Sequence, residues 1–275
     1  MIDRILRKLP AFKGKQRLAR LLLKNEINQL KEIIIQGKYD CGFKIPNLKE
    51  HVGFELFVNG VYERNSIAFL INRIDKDSVF LDLGANIGSI AIPIGKERGD
   101  VQFVCVEAAP WLFEFLKFNV SLNKLQNFEL LNFAVAEEED KEVPFYSPHD
   151  AFGKGSMAPI FTSEGVLIKT KTIDSISGNL PKQVGMIKID IEGFEYYAFL
   201  GGKALLSQQD APDILFEFVD WAENSCPGIK AGAAQRLLFS YGYHLHIFED
   251  GVVKKRIFEP LLEGAYMFFA TKRDV

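Results

Sequence analysis

The distribution of apolar and polar residues divides the chain into a polar, basic beginning and a long region of alternating elements. From residue 79 onward, short apolar runs typical of buried strands alternate with segments whose apolar residues recur at helical spacing. The predicted strands cover residues 79–83, 101–108, 127–135, 184–190, 213–219, 242–248 and 264–270. The predicted helices cover residues 86–98, 110–123, 194–202 and 231–242. This alternation predicts an α/β fold with a mostly parallel sheet, covered by helices on both faces.

Two segments depart from the strand–helix alternation. Between the last two predicted strands lies only EDGVVKKRIFEPLLE, which has no helical apolar period, so these strands are expected to pair antiparallel as a terminal hairpin. Residues 137–175 are polar and contain glycine. We expect them to be irregular, apart from a hairpin formed by residues 141–147 and 166–173.

The first 75 residues have a different organisation. Residues 1–35 are predicted to be a helical arm, because isoleucine and leucine recur there at helical spacing. Residues 36–75 contain several glycines and are predicted to hold a short strand, a turn and a helix within 53–74. We therefore divide the chain into an N-terminal helical arm and lead-in, 1–75, and a main domain, 76–275.

Charge is unevenly distributed along the chain, although its net charge is only −3. Residues 1–31 contain nine lysines and arginines against Asp3 and Glu26, a local net charge of +7. One interpretation is a basic amphipathic arm that contacts an anionic membrane surface or a nucleotide- or lipid-linked acceptor. The other is a helical arm whose leucines pack on the main domain or on a second subunit of a homodimer. The acidic remainder argues against nucleic acid as a partner.

Composition excludes several classes of protein. With 48% apolar and 25% charged residues among 275, the chain is not expected to be disordered, collagen-like or a polytopic membrane protein. Its three cysteines are too widely spaced for a disulfide framework or a CxxC metal site, which favours the cytoplasm. The first residues lack the apolar core of a signal peptide, and no apolar run reaches the ~18 residues of a membrane span.

Polar and small residues cluster where the predicted strands end. Because the carboxyl ends of parallel strands meet at one edge of a sheet, these residues are expected to form a single site. The set comprises Asp82, Gly84, Asn86 and Gly88 after the first strand, Glu107 after the second, Ala134 and Val135 after the third, Asp190 and Glu192 after the fourth, and Glu217 in the fifth. Glycines allow a tight turn and close approach by a ligand, and Glu107 is placed to accept both hydroxyls of a ribose.

The glycine spacing distinguishes between cofactors. The loop DLGANIG has G-x-x-x-G where a dinucleotide site has G-x-G-x-x-G, and Asp82 directly before it is unfavourable for a phosphate. S-adenosylmethionine has a ribose, an adenine, an ammonium and a sulfonium but no phosphate, so it suits this set of residues. One alternative is an NAD-dependent oxidoreductase or epimerase, but Tyr196, Tyr197 and Lys203 do not form its Tyr-x-x-x-Lys pair. The other alternative is a non-catalytic, cofactor-binding module.

Three stretches carry a family resemblance: LDLGANIGSIAIPIG, VEAAPWLFEFLKFNVSLN and IKIDIEGFEYYAFLGG. The most specific part, Lys188 to Glu195, resembles the K-x-D-x-E-G-x-E signature of the FkbM family of S-adenosylmethionine-dependent methyltransferases. The resemblance covers residues 78–250 and implies a class I, Rossmann-like domain with seven strands. It also implies O-methylation, often of sugars, polyketides or cell-surface glycans.

The resemblance also assigns roles to residues on the cofactor side. Asp82, Gly84, Asn86 and Gly88 would line the methionine part of the cofactor. Glu107 would bind the ribose hydroxyls, and Ala134 and Val135 would border the adenine.

Three signature residues are candidates for catalysis. An alcohol is a poor nucleophile, so Asp190 is the first candidate for the base that takes its proton, or for a ligand of a divalent metal ion that acidifies it. Glu192 is the second carboxylate, and Lys188 either takes part or pairs with the acids to position them. An amine needs little such help, so a small-molecule N-methyltransferase remains an alternative. Candidate contacts to a sugar or surface-glycan precursor are His149, Ser156, Glu217 and Trp221.

Overall fold

A computed structural model describes residues 14–274, and the first part of this range is a lead-in of two helices, a hairpin and two further helices. These elements are α1 (Lys15–Leu22), α2 (Lys24–Gln29), β1 (Lys31–Gln36), β2 (Gly42–Asn47), α3 (His51–Asn59) and α4 (Arg64–Arg73). The first part of the predicted arm, residues 1–13, lies outside the described residues.

The lead-in corrects two predictions. The helical arm ends at Gln29, and residues 31–36 form strand β1, which pairs antiparallel with β2. Three consecutive isoleucines, residues 33–35, favour this extended conformation because they are β-branched. The short strand predicted at the start of 53–74 is wrong, since helix α3 covers it. A short apolar run that is buried nearly all round has no periodicity that separates strand from helix.

The main region contains eleven strands and seven α-helices among the described residues. The strands are β3 (Val79–Leu83), β4 (Gln102–Val106), β5 (Phe128–Leu131), β6 (Ala134–Val135), β7 (Glu142–Tyr146), β8 (Gly165–Lys171), β9 (Val184–Ile189), β10 (Asp213–Val219), β11 (His244–Glu249), β12 (Val252–Ile257) and β13 (Ala265–Thr271). The helices are α5 (Ala91–Glu97), α6 (Pro110–Leu122), α7 (Ile173–Gly178), α8 (Glu195–Leu200), α9 (Lys203–Leu206), α10 (Asp220–Asn224) and α11 (Ala233–Ser240).

Eight strands form the central sheet in the order β12-β11-β13-β10-β9-β3-β4-β5. The neighbours from β5 to β10 pair parallel, whereas β13 lies antiparallel between β10 and β11. The mostly parallel α/β sheet and its antiparallel end are therefore confirmed. The strand order reverses between β3 and β9, which is where ligands bind in open sheets of this kind.

The strand count differs from the predicted seven. Residues 252–257 form an additional edge strand, β12, which pairs antiparallel with β11. The turn between them is Asp250-Gly251, and both residues have positive φ, as a two-residue hairpin turn requires. This Asp-Gly turn is the sequence signal that the prediction missed. The predicted strand 127–135 is also split, because Ala134 and Val135 leave the main sheet and pair with β8 beside the predicted hairpin β7–β8.

Hydrophobic cores lie on both faces of the main sheet, as period-two alternation requires. Phe80 and Phe103 pack on one face, together with α5, α6 and the lead-in, while Leu81 and Val104 pack on the other with α8 and α11. The lead-in is tied to α6 by two buried amides. Asn119 accepts a hydrogen bond from the Lys44 amide at 2.7 Å, and Asn123 accepts one from the Gly42 amide at 2.8 Å.

The division of the chain at residue 75 stays a prediction, although the lead-in shares its core with the sheet helices. Within residues 14–274, none of the helices has the length and apolar character needed to cross a lipid bilayer.

Candidate active site

A cavity opens at the carboxyl ends of β3, β4, β9 and β10, beside the reversal of strand order. It is lined by Gly84, Asn86, Glu107, Ala134, Val135, Lys188, Asp190, Glu192 and Glu217 among the residues predicted for the site. Strand parity explains part of this convergence, since side chains two positions apart share a face. Lys188 and Glu217 follow Met186 and Leu215 by two positions, and both of these pack in the core that contains the lead-in.

The turn after β3 brings backbone to the cavity wall. Gly84 has a φ of 79°, and a Cβ there would lie 2.0 Å from the carbonyl oxygen of Asp190. No side chain fits between the two strand ends, so the backbone itself lines the cavity. Asn86 follows with a φ of 53° and donates its side-chain amide to the Phe152 carbonyl at 3.1 Å. Gly88 lies behind the wall, where a Cβ would meet Ile92 at 2.6 Å.

Glu107 is the acidic residue at the end of β4. Its Oε1 accepts a hydrogen bond from the Ala109 amide and its Oε2 accepts one from the Asn86 amide, both at 2.8 Å. The side chain is buried, and this burial raises its pKa to about 7 against the effect of the two amides. Each oxygen retains acceptor capacity, so the ionised group can still receive hydrogen bonds from a ligand in the cavity.

Small apolar residues line the part of the cavity next to Glu107. Ala134 and Val135 are buried, and Ala108 and Phe133 lie in the same wall. Asn132 donates to the carbonyl oxygens of Glu107 and Ala108, at 2.7 and 3.1 Å, and joins this wall to the end of β4. The result is a narrow apolar surface beside an acid that can accept hydroxyl hydrogens, which suits a nucleoside.

Lys188 links the ends of β3 and β9. Its Nζ lies 3.4 Å from Asp82 and 3.8 Å from Asp190, and it donates to the Gly84 carbonyl at 3.1 Å. Burial by itself would lower the pKa of Lys188, but the two carboxylates outweigh it and hold the pKa above its usual range. Asp82 is fully buried beneath the cavity, and burial raises its pKa while Lys188 opposes that shift. Asp82 therefore acts on the cavity through Lys188.

The opposite half of the cavity is acidic. Asp190, Glu192 and Glu217 come from the ends of β9 and β10. Burial, followed by the charge of Asp190, raises the pKa of Glu192 to about 8. The charge of Asp190, followed by burial, raises the pKa of Glu217 to about 8. We call these three residues, together with Glu63 from the connection between α3 and α4, the acidic wall.

The lead-in contributes residues that sequence reasoning missed. Glu50, His51, Tyr62 and Glu63 line the same cavity, the last two from the connection between α3 and α4. Burial, followed by the charge of Glu63, holds the pKa of Tyr62 well above its usual range. No pattern in residues 50–63 marks them as site residues, because their position depends on how the lead-in packs. From the hairpin region, Phe145, Phe152, Lys154 and Met157 complete the wall.

Three predicted acceptor contacts lie away from the cavity lining. Ser156 is buried and pairs through its backbone with Tyr146. His149 stacks on Trp111 with ring centroids 4.3 Å apart. Trp221 is 45% exposed and meets Phe161 edge-on. None of the three lines the cavity; from the segment around His149, Phe152 and Gly153 do so instead.

Ligands for a metal ion do not converge in the part of the chain that the structure describes. Across residues 14–274, there is no group of three or more His, Cys, Asp or Glu side chains that could hold one. In the cavity, Asp190 lies 3.8 Å from the ammonium group of Lys188.

A family comparison decides the assignment. Residues 82–245, more than half of the chain, match the model described as "Methyltransferase FkbM domain". The chain belongs to the FkbM methyltransferase family. The expected family, the S-adenosylmethionine-dependent methyltransferase activity and the class I Rossmann-like fold are thereby confirmed. No curated protein sequence matches the chain.

Solved structures with similar architecture are also methyltransferases by name. Precorrin-6y C5,15-methyltransferase from Geobacter metallireducens is 14% identical, with a TM-score of 0.45, over 76% of this chain and 88% of its own. TYW2 from M. jannaschii in complex with AdoMet is 16% identical, with a TM-score of 0.43, over 88% and 85%. An rRNA methylase from Streptococcus thermophilus is 9% identical, with a TM-score of 0.43, over 76% and 95%. At these values the likeness carries no conclusion about substrate.

The residues of this FkbM methyltransferase suit S-adenosylmethionine. The cofactor half of the cavity offers the open backbone of Gly84, the acceptor oxygens of Glu107 and the apolar wall at Ala134. Lys188, the lysine next to the turn, already contacts Asp82 and Asp190. A cofactor with a ribose and a cationic centre matches this half, whereas a pyrophosphate would meet acids there.

Proposed function

We propose that this FkbM methyltransferase methylates a hydroxyl group of a sugar, within a glycan precursor. The observation that carries the proposal is the position of Asp190, which lines the cavity at the end of β9, beside the Gly84 turn and 3.8 Å from Lys188. A hydroxyl acceptor needs a base there, while an amine with a free electron pair would not.

Different residues of the chain have different roles in the proposed reaction. When bound, S-adenosylmethionine supplies a methyl group activated by sulfonium, and its thioether leaves with the electron pair of the carbon–sulfur bond. Gly84, Glu107 and Ala134 would hold the cofactor, and Lys188 positions Asp190 through its charge. The Asp190 carboxylate accepts the hydroxyl proton as the acceptor oxygen forms its bond to carbon. Without a three-ligand metal group in residues 14–274, we assign the proton to the carboxylate itself.

The test is transfer from cofactor that carries a 13C-labelled methyl group to a panel of free, nucleotide-linked and lipid-linked sugars. Carbon-13 spectra distinguish a methyl on oxygen from one on nitrogen. We expect an O-methyl signal with wild type, and a loss of about 100-fold or more in kcat with Asp190→Asn, which keeps the size but cannot accept the proton. A methyl on nitrogen, or unchanged kcat in Asp190→Asn, would contradict the proposal.

We also propose a cytoplasmic enzyme whose basic arm contacts an anionic membrane surface that carries the acceptor. Support comes from α1, where Leu18, Leu21 and Leu22 are 42%, 74% and 51% exposed beside Arg17. Only Ala19 and Leu23 of this segment pack in the core among the described residues. The three cysteines are free and buried, which suits a reducing compartment. A homodimer, and the absence of nucleic-acid partners, stay predictions.

A further inference from the structure

The charge of the acceptor half of the cavity is strongly one-sided. Its described charged side chains are the acidic wall, Glu50, Lys154 and Lys188. The acidic residues come from three separate elements, the connection between α3 and α4 and the ends of β9 and β10. They line the site in which a methyltransferase must place its acceptor, so their charge acts directly on whatever is bound there.

The two lysines leave much of this negative charge uncompensated. Lys188 is buried and already shared between Asp82 and Asp190. Lys154 lies over the ring of Phe161 at 5.2 Å, and its charge opposes the rise in the pKa of Glu192 without cancelling it. Glu63 and Glu217 form no ion pair with a lysine or arginine among the described residues, although the charge of Lys188 opposes the rise in the pKa of Glu217. An anionic group next to them would be repelled, whereas a cationic group would supply the counter-charge that these half-buried carboxyls lack.

We infer that the acceptor is a cationic amino alcohol, such as an amino sugar, whose ammonium group binds to the acidic wall while its neighbouring hydroxyl is methylated. This inference rests on the proposed O-methylation. It also accounts for the choice of oxygen over nitrogen. Carboxylates around an amine stabilise its protonated form, which has no electron pair with which to attack a methyl group. The hydroxyl is then the nucleophile, and Asp190 takes its proton.

Proton release on binding is a consequence of the same arrangement. Burial, followed by the charge of Asp190, raises the pKa of Glu192 to about 8, and the charge of Asp190, followed by burial, raises that of Glu217 to about 8. Both carboxyls therefore hold a proton more readily than an ordinary glutamate does. An ammonium group in the cavity stabilises their ionised forms. A cationic acceptor therefore displaces protons from the acidic wall, whereas a neutral acceptor of the same shape leaves them in place.

The experiment compares matched acceptors that differ in charge. The probes are glucosamine, galactosamine and mannosamine, their neutral parent sugars, and the 6-phosphates of those parents. Each is incubated with the full chain and cofactor labelled with 13C at the methyl group, and kcat/KM and the labelled atom are determined. We expect at least one amino sugar to be O-methylated with kcat/KM about tenfold or more above its neutral parent, and the phosphates to be the poorest acceptors.

A variant pair tests whether the acidic wall causes the preference. Glu63→Gln removes one charge and should reduce the ratio of kcat/KM between amino sugar and parent by about tenfold. Glu114→Gln, which changes an exposed carboxylate on α6 outside the cavity, should leave the ratio unchanged. The inference is overturned if no amino sugar is methylated, if parents or phosphates are methylated equally well, or if Glu63→Gln keeps the wild-type ratio.

Failure of this inference is distinguishable from failure of the proposed function. O-methylation of neutral parents alone contradicts a cationic acceptor and leaves the sugar O-methyltransferase intact. N-methylation of the amino sugars contradicts O-methylation and leaves the cationic acceptor intact.

Discussion

At the scale of single residues, Lys188 has two roles, one in stability and one in catalysis, which the sequence signature alone does not distinguish. It neutralises Asp82, which is fully buried, and it lies beside Asp190 at the cavity surface. The pairing follows from register, because Asp82 and Lys188 are direct neighbours on β3 and β9. A change at Lys188 is therefore expected to affect stability as well as catalysis.

Lys188→Met is expected to lower the free energy of unfolding by about 3–5 kcal/mol, because it leaves the Asp82 carboxyl buried without its counter-ion. Urea denaturation followed by tryptophan fluorescence measures this loss. Adding Asp82→Asn to Lys188→Met should recover part of it. Lys117→Met, which breaks an exposed pair with Glu114, serves as the control and should cost less than about 1 kcal/mol. Equal losses in the two single variants would contradict a central ion pair.

Glu107 is expected to make cofactor binding depend on pH. We expect its ionised carboxylate to accept hydrogen bonds from the ribose hydroxyls, and burial raises its pKa to about 7. The affinity for S-adenosylmethionine should therefore fall as the pH decreases through about 7, as the group takes up a proton. Isothermal titration calorimetry over this range measures the change.

The matched variant is Glu107→Ala, which should weaken cofactor binding by about tenfold or more and abolish its pH dependence. NAD, titrated in parallel, is expected not to bind, because the turn after β3 has Ala85 and Asn86 where a dinucleotide site has its second glycine, and Asp82 precedes it. Binding of NAD, or unchanged affinity of Glu107→Ala for S-adenosylmethionine, would contradict the assignment of this half of the cavity.

At the scale of elements, the lead-in is a wall of the site. The hairpin β1–β2 is joined to α6 by Asn119 and Asn123, and the connection between α3 and α4 carries Glu63 to the cavity. The lead-in therefore lines the same cavity as residues from the ends of β9 and β10. Variation in the lead-in can change the acceptor without altering the turn after β3.

Helix α1 is expected to contact an anionic membrane surface. The full chain is expected to sediment with vesicles that contain phosphatidylglycerol and not with vesicles of phosphatidylcholine alone, and raised salt should weaken this binding. The double variant Leu21→Ser, Leu22→Ser should reduce binding by about tenfold, because it removes the exposed apolar side chains.

Ile34→Ser is the control for that variant. Ile34 is also an exposed apolar residue, but it lies on β1 rather than on the basic helix. Its replacement should leave vesicle binding and methyl transfer to free sugars unchanged. Equal binding of wild type and the double leucine variant would contradict a membrane role for α1.

At the scale of the whole molecule, several buried carboxyls make stability depend on pH. Burial, or in Glu217 the charge of Asp190, raises the pKa of Glu107 to about 7 and that of Glu192, Glu195 and Glu217 to about 8, from an ordinary value of 4.5. The folded protein therefore binds more protons than the unfolded chain between these values. The associated stability is present below about pH 4.5 and is lost as the pH rises to about 8.

Glu195→Gln isolates one of these groups. Glu195 is buried, lies outside the cavity lining and accepts a hydrogen bond from the Ile191 amide at 2.9 Å, which glutamine can also accept. The variant should flatten the decrease in unfolding free energy between about pH 5 and about pH 9, as measured by urea denaturation of the cofactor-free protein. Parallel curves for variant and wild type would show that Glu195 titrates normally.

Part of this molecule was predictable from sequence because it depends on local pattern and on one general rule. Apolar periodicity predicted the alternation of strands and helices, and the glycine turn and the signature from Lys188 to Glu195 indicated the family. Residues at the carboxyl ends of parallel strands meet at one edge of the sheet. The convergence of Glu107, Asp190 and Glu217 therefore needed no knowledge of side-chain packing.

Only the tertiary structure decided which residues complete the cavity. Glu63 and Asp190, more than a hundred positions apart in sequence, line the same cavity, whereas Trp221, two positions after β10, lies outside its lining. Such positions depend on the packing of the lead-in and of the hairpin region on the sheet, which no period in the local sequence encodes. The sequence by itself therefore determined which strand-end residues meet in the cavity, including Asp190, Glu192 and Glu217, whereas long-range packing decided that Tyr62 and Glu63 of the lead-in join them.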